Sequence, residues 1–364
     1  MNTIKKIWLV LLLFGAARAE DIFIISQDRY VTFMPVMQNW FSNGSGFSEL
    51  SIPVAGYIPV NSEVSVNFRA SGASVTGDGL TTLSGLTDTQ LGLTWYKRPL
   101  NAVFSLGINL PSGKNELTLE EYYTSYLISF NHYNLATPNF GQGLNISPGV
   151  NWAYKLNDKM VVGLSISGQI KGGFSPIDMG GEESDYKPGN ELTLNTGLDY
   201  NLDNTSTISA DIIYTHYASD QVDGEEFYGS GAKLVFYSRY QKYMGYNYFS
   251  ITGRFRSKGK NSYLSGSSMV TEAEKSSPDQ YELYSLYRMR YNQKTWIGIT
   301  GELRYYAESS IFTSILMLGA GAQPEYVLSP KTTLRGNIKL LFGSIKDGDG
   351  ITGLEVGAGV KYNF

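Results

Sequence analysis

The chain has 364 residues, with 29 Lys and Arg against 33 Asp and Glu, two His and no cysteine. A formal charge of -4 lacks the basic footprint of a nucleic-acid binder, and without cysteine neither a disulfide nor a lipid-anchored cysteine can form. Charged residues make up 17% of the chain, below the roughly 25% of soluble domains. The 27 Tyr and 40 Gly are both in excess. A mean hydropathy of -0.17 is too low for a helical membrane protein, and it is expected where alternate residues of a strand face lipid and a wet interior.

At the amino end, Lys5 and Lys6 precede the apolar run Ile7 to Phe14, and Ala17-Arg18-Ala19 has the small-x-small form of a cleavage site. Residues 1–19 therefore read as a cleaved export signal, leaving 20–364 as one domain. The alternative is an anchor, although the run is about half of the roughly 20 residues a spanning helix needs. Residues 20–46 supply either a first strand, if Tyr30 to Trp40 pairs with Glu49 to Ile58, or an inward plug.

From Glu63 onward, apolar rows recur at every second position: Phe104, Leu106 and Ile108; Val162, Leu164 and Ile166; Leu192, Leu194 and Leu198; Ile208, Ile212 and Tyr214; Tyr281, Leu283 and Tyr287; Ile297, Ile299 and Leu303; Leu334, Ile338 and Leu340. Period two places each row on one face of a strand. Short turns at Arg98 to Asn101, Asn157-Asp158, Asp203-Asn204, Gln241-Lys242, Gln293-Lys294 and Ser329 to Lys331 alternate with long links, the longest being Ser112 to Gln142. That alternation predicts an all-β, closed antiparallel transmembrane β-barrel of about 14–16 strands with periplasmic turns and extracellular loops.

Within Ser112 to Gln142, Thr118 and Glu121 form a capping box. Tyr122, Tyr123, Tyr126 and Phe130 then recur at roughly helical spacing. A short aromatic-faced helix outside the membrane is expected, serving either as a first contact groove for a hydrophobic solute or simply as packing for neighbouring loops. Pro148 follows inside a strand beside Gly149. Proline cannot donate to the ladder, so a bulge or a broken hydrogen bond is required, and the result is either a lateral opening toward lipid or a plain bend.

If the apolar rows face lipid, the lumen receives Arg254, Arg256, Arg288, Arg290, Arg304, Arg335 and Lys339 from the later strands, with Glu63, Asp88, Glu191, Asp199 and Asp211 from the earlier ones. Such charges either pair across a filled lumen or line an aqueous path. Trp95, Tyr96, Trp152, Tyr154, Tyr243, Tyr246, Tyr291 and Trp296 lie near strand ends, as aromatic belts would. The last strand alternates from Leu354 to Phe364, with Glu355 and Lys361 on the inner row. Its aromatic terminus resembles the sorting signal read by the outer-membrane assembly machinery, which implies the outer membrane of a Gram-negative bacterium, with lipid and lipopolysaccharide around the barrel. A secreted soluble all-β protein is the competing architecture.

Three stretches carry a family resemblance: GLTDTQLGLTWY from Gly85, FSLGINLPSGK from Phe104 and YKPGNELTLNTGLDYNL from Tyr186. They resemble the outer-membrane proteins associated with meta-pathway phenol degradation, within the FadL-like transporter superfamily. The resemblance implies a monomeric barrel admitting small hydrophobic or aromatic molecules. Residues 20–46 lack the Asn-Pro-Ala hatch motif of the fatty-acid transporters, so it carries neither a fatty-acid substrate nor that gate.

Catalysis finds little footing, because His132 and His216 have no partners at fixed spacing; His216 lies near Asp220, the one pairing that suggests a hydrolytic site. No cofactor motif is present, and the acidic stretches Gly181 to Asp185 and Lys346 to Asp349 do not follow an ordered calcium loop. The expected role is passive uptake of small hydrophobic or aromatic compounds, with a general or anion-preferring porin as the alternative.

Overall fold

The computed structural model describes residues 26–177, 185–348 and 350–364, so the expected export signal and residues 178–184 and 349 lie outside the described residues. Eighteen hydrogen-bonded segments form one sheet. Two pairs of them are single strands broken once, which leaves sixteen strands in a closed antiparallel barrel. They are β1 (Tyr30–Phe33 and Val36–Ser42), β2 (Ser45–Pro59), β3 (Val64–Gly77), β4 (Leu83–Leu86 and Thr89–Lys97), β5 (Ala102–Leu110), β6 (Asn145–Asn157), β7 (Met160–Lys171) and β8 (Glu191–Asn201). The second half comprises β9 (Ser206–Tyr217), β10 (Lys233–Met244), β11 (Asn247–Lys258), β12 (Gln280–Arg290), β13 (Thr295–Tyr306), β14 (Ile315–Ser329), β15 (Thr332–Ile345) and β16 (Gly350–Asn363).

Residues 30–42 are thus a wall strand and not a plug. β1 pairs with β2 on one side and β16 on the other, from Tyr30 opposite Asn363 to Ser42 opposite Ile351, and this seam closes the ring. The interruption falls at Pro35, which has no N–H to give, and the register is the same on both sides of it. β4 breaks differently. Its pairing with β3 slips by one residue between Leu86 opposite Gly72 and Gln90 opposite Arg69, so Thr87 and Asp88 form a bulge. The turn expected at Gln241-Lys242 lies instead at Gly245-Tyr246, because β10 runs on to Met244 and Gly245 takes the positive φ (+61°) the tight turn requires.

The apolar rows point outward. Leu93, Leu106, Leu164, Leu194, Ile212, Leu283, Ile299, Leu318, Ile338 and Val356 are all exposed on the outer face, an arrangement that water would penalise and hydrocarbon does not. Aromatic residues border this band at both ends. Trp95, Phe104, Trp152, Tyr243, Tyr326 and Tyr362 lie toward the short turns, while Tyr214, Phe236, Tyr281 and Tyr305 lie toward the long loops. Two of the aromatics expected in these belts turn inward instead. Tyr96 is buried, and Trp296 lies beneath the lumenal Arg288 and Arg290. The protein is an outer-membrane barrel, and the soluble alternative is excluded by this exterior.

The buried core lies inside the barrel, in its extracellular half. Trp40, Phe47, Val75, Leu83, Met317, Leu341 and Ile351 point in from β1–β4 and β14–β16 and meet Leu117, Ile128, Leu135 and Phe140 from the β5–β6 connection. Outside the rim, the segments Tyr186–Lys187, Ser219–Val222, Glu225–Gly229, Ser262–Ser265 and Ser268–Thr271 form a second sheet from three of the long loops.

Candidate functional site

The connection 111–144 enters the lumen. Its two ends are fastened at one carboxylate: Asp88, delivered inward by the β4 bulge, accepts from Asn109 Nδ2 (2.7 Å), Gly113 N (2.9 Å) and Gln142 N (2.7 Å). Gly113 is required by close approach, since a Cβ there would lie 2.3 Å from Phe140 O. Helix α1 (Leu119–Ile128) starts with the expected capping box, Glu121 N donating to Thr118 Oγ1 and Thr118 N to Glu121 Oε2. Thr124 Oγ1 donates to Thr81 O, placing the helix against the β3–β4 loop.

After the helix, the chain crosses the barrel. The Tyr133 ring packs edge-on against Phe47 (4.8 Å) and Trp40 (5.3 Å). Ala136 N donates to Gln38 Oε1, Thr137 N to Glu49 Oε1, and Thr137 Oγ1 bonds Ser51 Oγ (2.6 Å). On the other side, Arg304 Nη1 donates to His132 O (2.8 Å) and Tyr306 OH to Asn131 O (3.0 Å). β13 stands eight strands from β5 in a ring of sixteen, so the loop spans the full width of the lumen. Glu49 and Ser51 lie four and six residues below the start of β2, well inside the barrel. Burial, with the positive charge of Arg304 beside it, pushes the His132 imidazole down to about 4, so the ring is neutral at pH 7.

Of the expected lumenal charges, Glu63 lies in the turn before β3 and Asp88 in the β4 bulge; the others lie on inner rows, but their pairing follows the wall. Arg254 pairs with Glu282, and Arg288 and Arg335 (3.3 Å) share Glu325. Arg304 (2.9 Å) and Lys339 (3.2 Å) share Glu302, and Lys339 reaches Glu355 (3.5 Å), which also accepts from Gln38. The cross-lumen pairing expected with Glu63, Asp88, Glu191, Asp199 and Asp211 is therefore not the arrangement. Asp88 holds the loop, Glu191 pairs with Lys171 on β7, and Asp199 accepts from Ser209 of the adjacent strand, where Asp211 also lies. The partners Glu282, Glu302 and Glu325 were legible on the same inner rows, two residues from Arg304 in one case. Arg290 donates to backbone carbonyls of its own turn, at Asn292 and Gln293.

Above the crossing loop, a cleft of about 440 Å³ opens to the outside, between Tyr126 and Phe130 on one flank and Arg256, Gln280 and Phe312 on the other. Two of the four predicted contact residues line it. Phe130 meets Tyr126 at 5.0 Å and Phe312 at 5.2 Å, whereas Tyr122 and Tyr123 are exposed beyond its border. The cleft does not run along the helix face alone. It forms where the descending end of α1 meets the opposite wall, and Arg256, Gln280 and Phe312, distant in sequence, complete it.

Pro148 faces outward on β6. The ladder to β7 omits Ser147 and Pro148 and resumes at Gly149 opposite Ser167 without a change of register, so the proline breaks hydrogen bonds and makes no bulge. His216 is on the outer face, and Asp220 accepts from Tyr186 OH and Gly189 N. The two are not brought together. No cluster of His, Asp or Glu suited to a metal exists among the described residues.

The sequence model of the family described as "Putative MetA-pathway of phenol degradation" matches residues 56–237, half of the chain. The chain belongs to this family. The matched part holds the loop, its Asp88 fastening and Pro148. Among solved structures, the chain is similar to the CymD monoaromatic hydrocarbon channel (11% identity, 96% of this chain and 95% of that one, TM-score 0.46). It is likewise similar to OccAB1 of Acinetobacter baumannii (10%, 95% and 99%, TM-score 0.49) and to OprD of Pseudomonas aeruginosa (8%, 96% and 98%, TM-score 0.44). No curated protein matches the chain.

Proposed function

We propose that this family member is a monomeric outer-membrane channel for passive uptake of small hydrophobic or aromatic compounds, inserted through the strand that ends on Phe364. One observation carries the reading: an outward-facing cleft flanked by Tyr126, Phe130 and Phe312 lies directly on the loop that crosses the lumen. Concave aromatic lining with a few polar groups suits a small planar solute, and capture there places it next to the crossing loop it must pass. The family description and the hydrocarbon channel among the similar structures agree with this direction. Descent past the loop requires that Phe130 to Thr137 move, and Pro148, where the β6–β7 ladder is interrupted, is the candidate for a lateral exit.

The test is uptake of radiolabelled toluene and phenol by intact cells that express the barrel in a porin-poor outer membrane. Replacing Phe130 and Phe312 together with serine lowers initial uptake several-fold while heat-modifiable mobility shows a folded barrel. Unchanged uptake by that variant refutes the reading. Large steady ion currents in planar bilayers would favour the general porin instead.

A further inference from the structure

The cleft has a polar end that a hydrocarbon would leave unused. Arg256, Gln280 and Tyr306 stand on β11, β12 and β13, and register places them side by side, Arg256 opposite Gln280 and Gln280 opposite Tyr306. Gln280 is only 5% exposed, and its side-chain oxygen has no hydrogen-bond partner. A buried amide without a partner costs free energy unless something else satisfies it. Arg256 forms no ion pair among the described residues, in contrast to Arg254 and Arg304 on the same wall.

The carboxylates nearby are already engaged. Glu282 is held by Arg254, Asp279 by Lys275, and Glu272 by the backbone N–H groups of Asn261 and Ser276. Lys258, two residues up the inner row from Arg256, spends one donor on Ser230 Oγ (3.0 Å) and adds a second positive charge at the cleft. One end of the site is therefore aromatic, and the other offers a guanidinium fork, an ammonium and a free amide. A flat ring bearing one carboxylate matches both ends: the ring against Phe130 and Phe312, the carboxylate bidentate on Arg256, and the Gln280 amide turned so that its N–H₂ donates to the same group.

Resting on the reading above, we propose that the cleft selects aromatic monocarboxylates over neutral aromatics of the same shape, with Arg256 as the specificity residue and Gln280 as its partner. Benzoate and benzamide are the probes, since they share ring, size and planarity and differ in charge. Equilibrium dialysis of each labelled probe against the purified full-length barrel in detergent, corrected with protein-free micelles, gives the two affinities.

The expected result is benzoate bound about tenfold or more tightly than benzamide, the scale of charge-assisted hydrogen bonds. R256Q should reduce benzoate to near the benzamide level and weaken benzamide far less than benzoate, R256K should restore part of the difference, and Q280L should weaken benzoate without abolishing it. Equal binding of the two probes by the unaltered protein, or equal weakening of both by R256Q, overturns the carboxylate proposal and leaves the aromatic channel standing. Failure of both probes to bind overturns the cleft as a solute site altogether.

Discussion

Asp88 is the residue on which the position of the crossing loop depends. Replacing it with alanine removes the acceptor for Gly113 N and Gln142 N at the two ends of the loop, together with that for Asn109 Nδ2, which keeps Gly143 O at 3.1 Å. A hydrogen bond to a charged group contributes about 1.5–3 kcal/mol. Asn109 retains an alternative, so the two backbone donors set the loss at about 3–6 kcal/mol in the anchoring of 111–144. At about 1.4 kcal/mol per factor of ten, detachment becomes roughly a hundred to ten thousand times more frequent. Asp88→Asn, which keeps one acceptor oxygen, should lose about half as much. Hydrogen exchange read by mass spectrometry reports the anchoring directly: peptides covering 113–142 should exchange faster by that factor in D88A, while β7 to β12 stay protected. Planar-bilayer recordings should show larger or flickering conductance. If those peptides exchange at the normal rate in a heat-modifiable, folded D88A barrel, the carboxylate does not hold the loop and the reasoning fails.

Tyr133→Ala removes a ring wedged between Trp40 and Phe47; about 3 kcal/mol of loop anchoring should go with it, and faster exchange confined to residues 129–137 is the check. Acidification acts through His132, whose ring is held down to about 4 by burial and by Arg304, against an ordinary value of 6.5. The detached loop binds the proton more readily than the seated one, so this contribution is complete above pH 6.5 and is lost as pH falls from there toward 4, to a limit of about 3 kcal/mol. Loop exchange, corrected for its intrinsic pH dependence, should accelerate over that window and do so less steeply in His132→Phe. Arg304→Met leaves Glu302 buried with Lys339 as its one cation and frees the carbonyl of His132. A loss of about 3–5 kcal/mol follows from stripping one partner from a buried pair, and the temperature of the heat-modifiability transition should fall. The double variant with Glu302→Gln should recover part of it.

Period-two rows were enough to read the barrel, because every strand has one face in hydrocarbon and the composition of that face is monotonous. The alternation also fixed which charges point inward. It could not say which neighbour each charge would choose, because that depends on height along tilted strands; Glu302 takes Arg304 from its own strand and Lys339 from β15, and Glu325 takes Arg288 from β12 and Arg335 from β15. The capping box of α1 was legible locally, whereas the course of residues 130–137 was not. That segment is positioned by Trp40, Gln38, Glu49 and Arg304, which are separated from their partners in it by 88 to 172 positions in the chain. The β4 bulge, where one extra residue turns Asp88 toward the loop, had no signature in the spacing of apolar residues. Half of the cleft stayed hidden for the same reason: Arg256 was marked as lumenal, but nothing local joins it to Phe130.

The seam between β1 and β16 bears on how the barrel is made. Its partners, Tyr30 with Asn363 at one end and Ser42 with Ile351 at the other, are the most distant pairing in the chain. Bringing such ends together in a free chain would cost about 5 kcal/mol of closure entropy, whereas each hairpin from β2 to β15 closes at small separation. Zippering hairpin by hairpin leaves this junction for last, and its two edges meet through the curvature of a nearly finished sheet. The final step then forms four pairs below Pro35 and seven above it. Assembly should therefore be limited by a joint that is split in two, and substitutions at Pro35 should change how fast the ring shuts more than how the finished pore behaves.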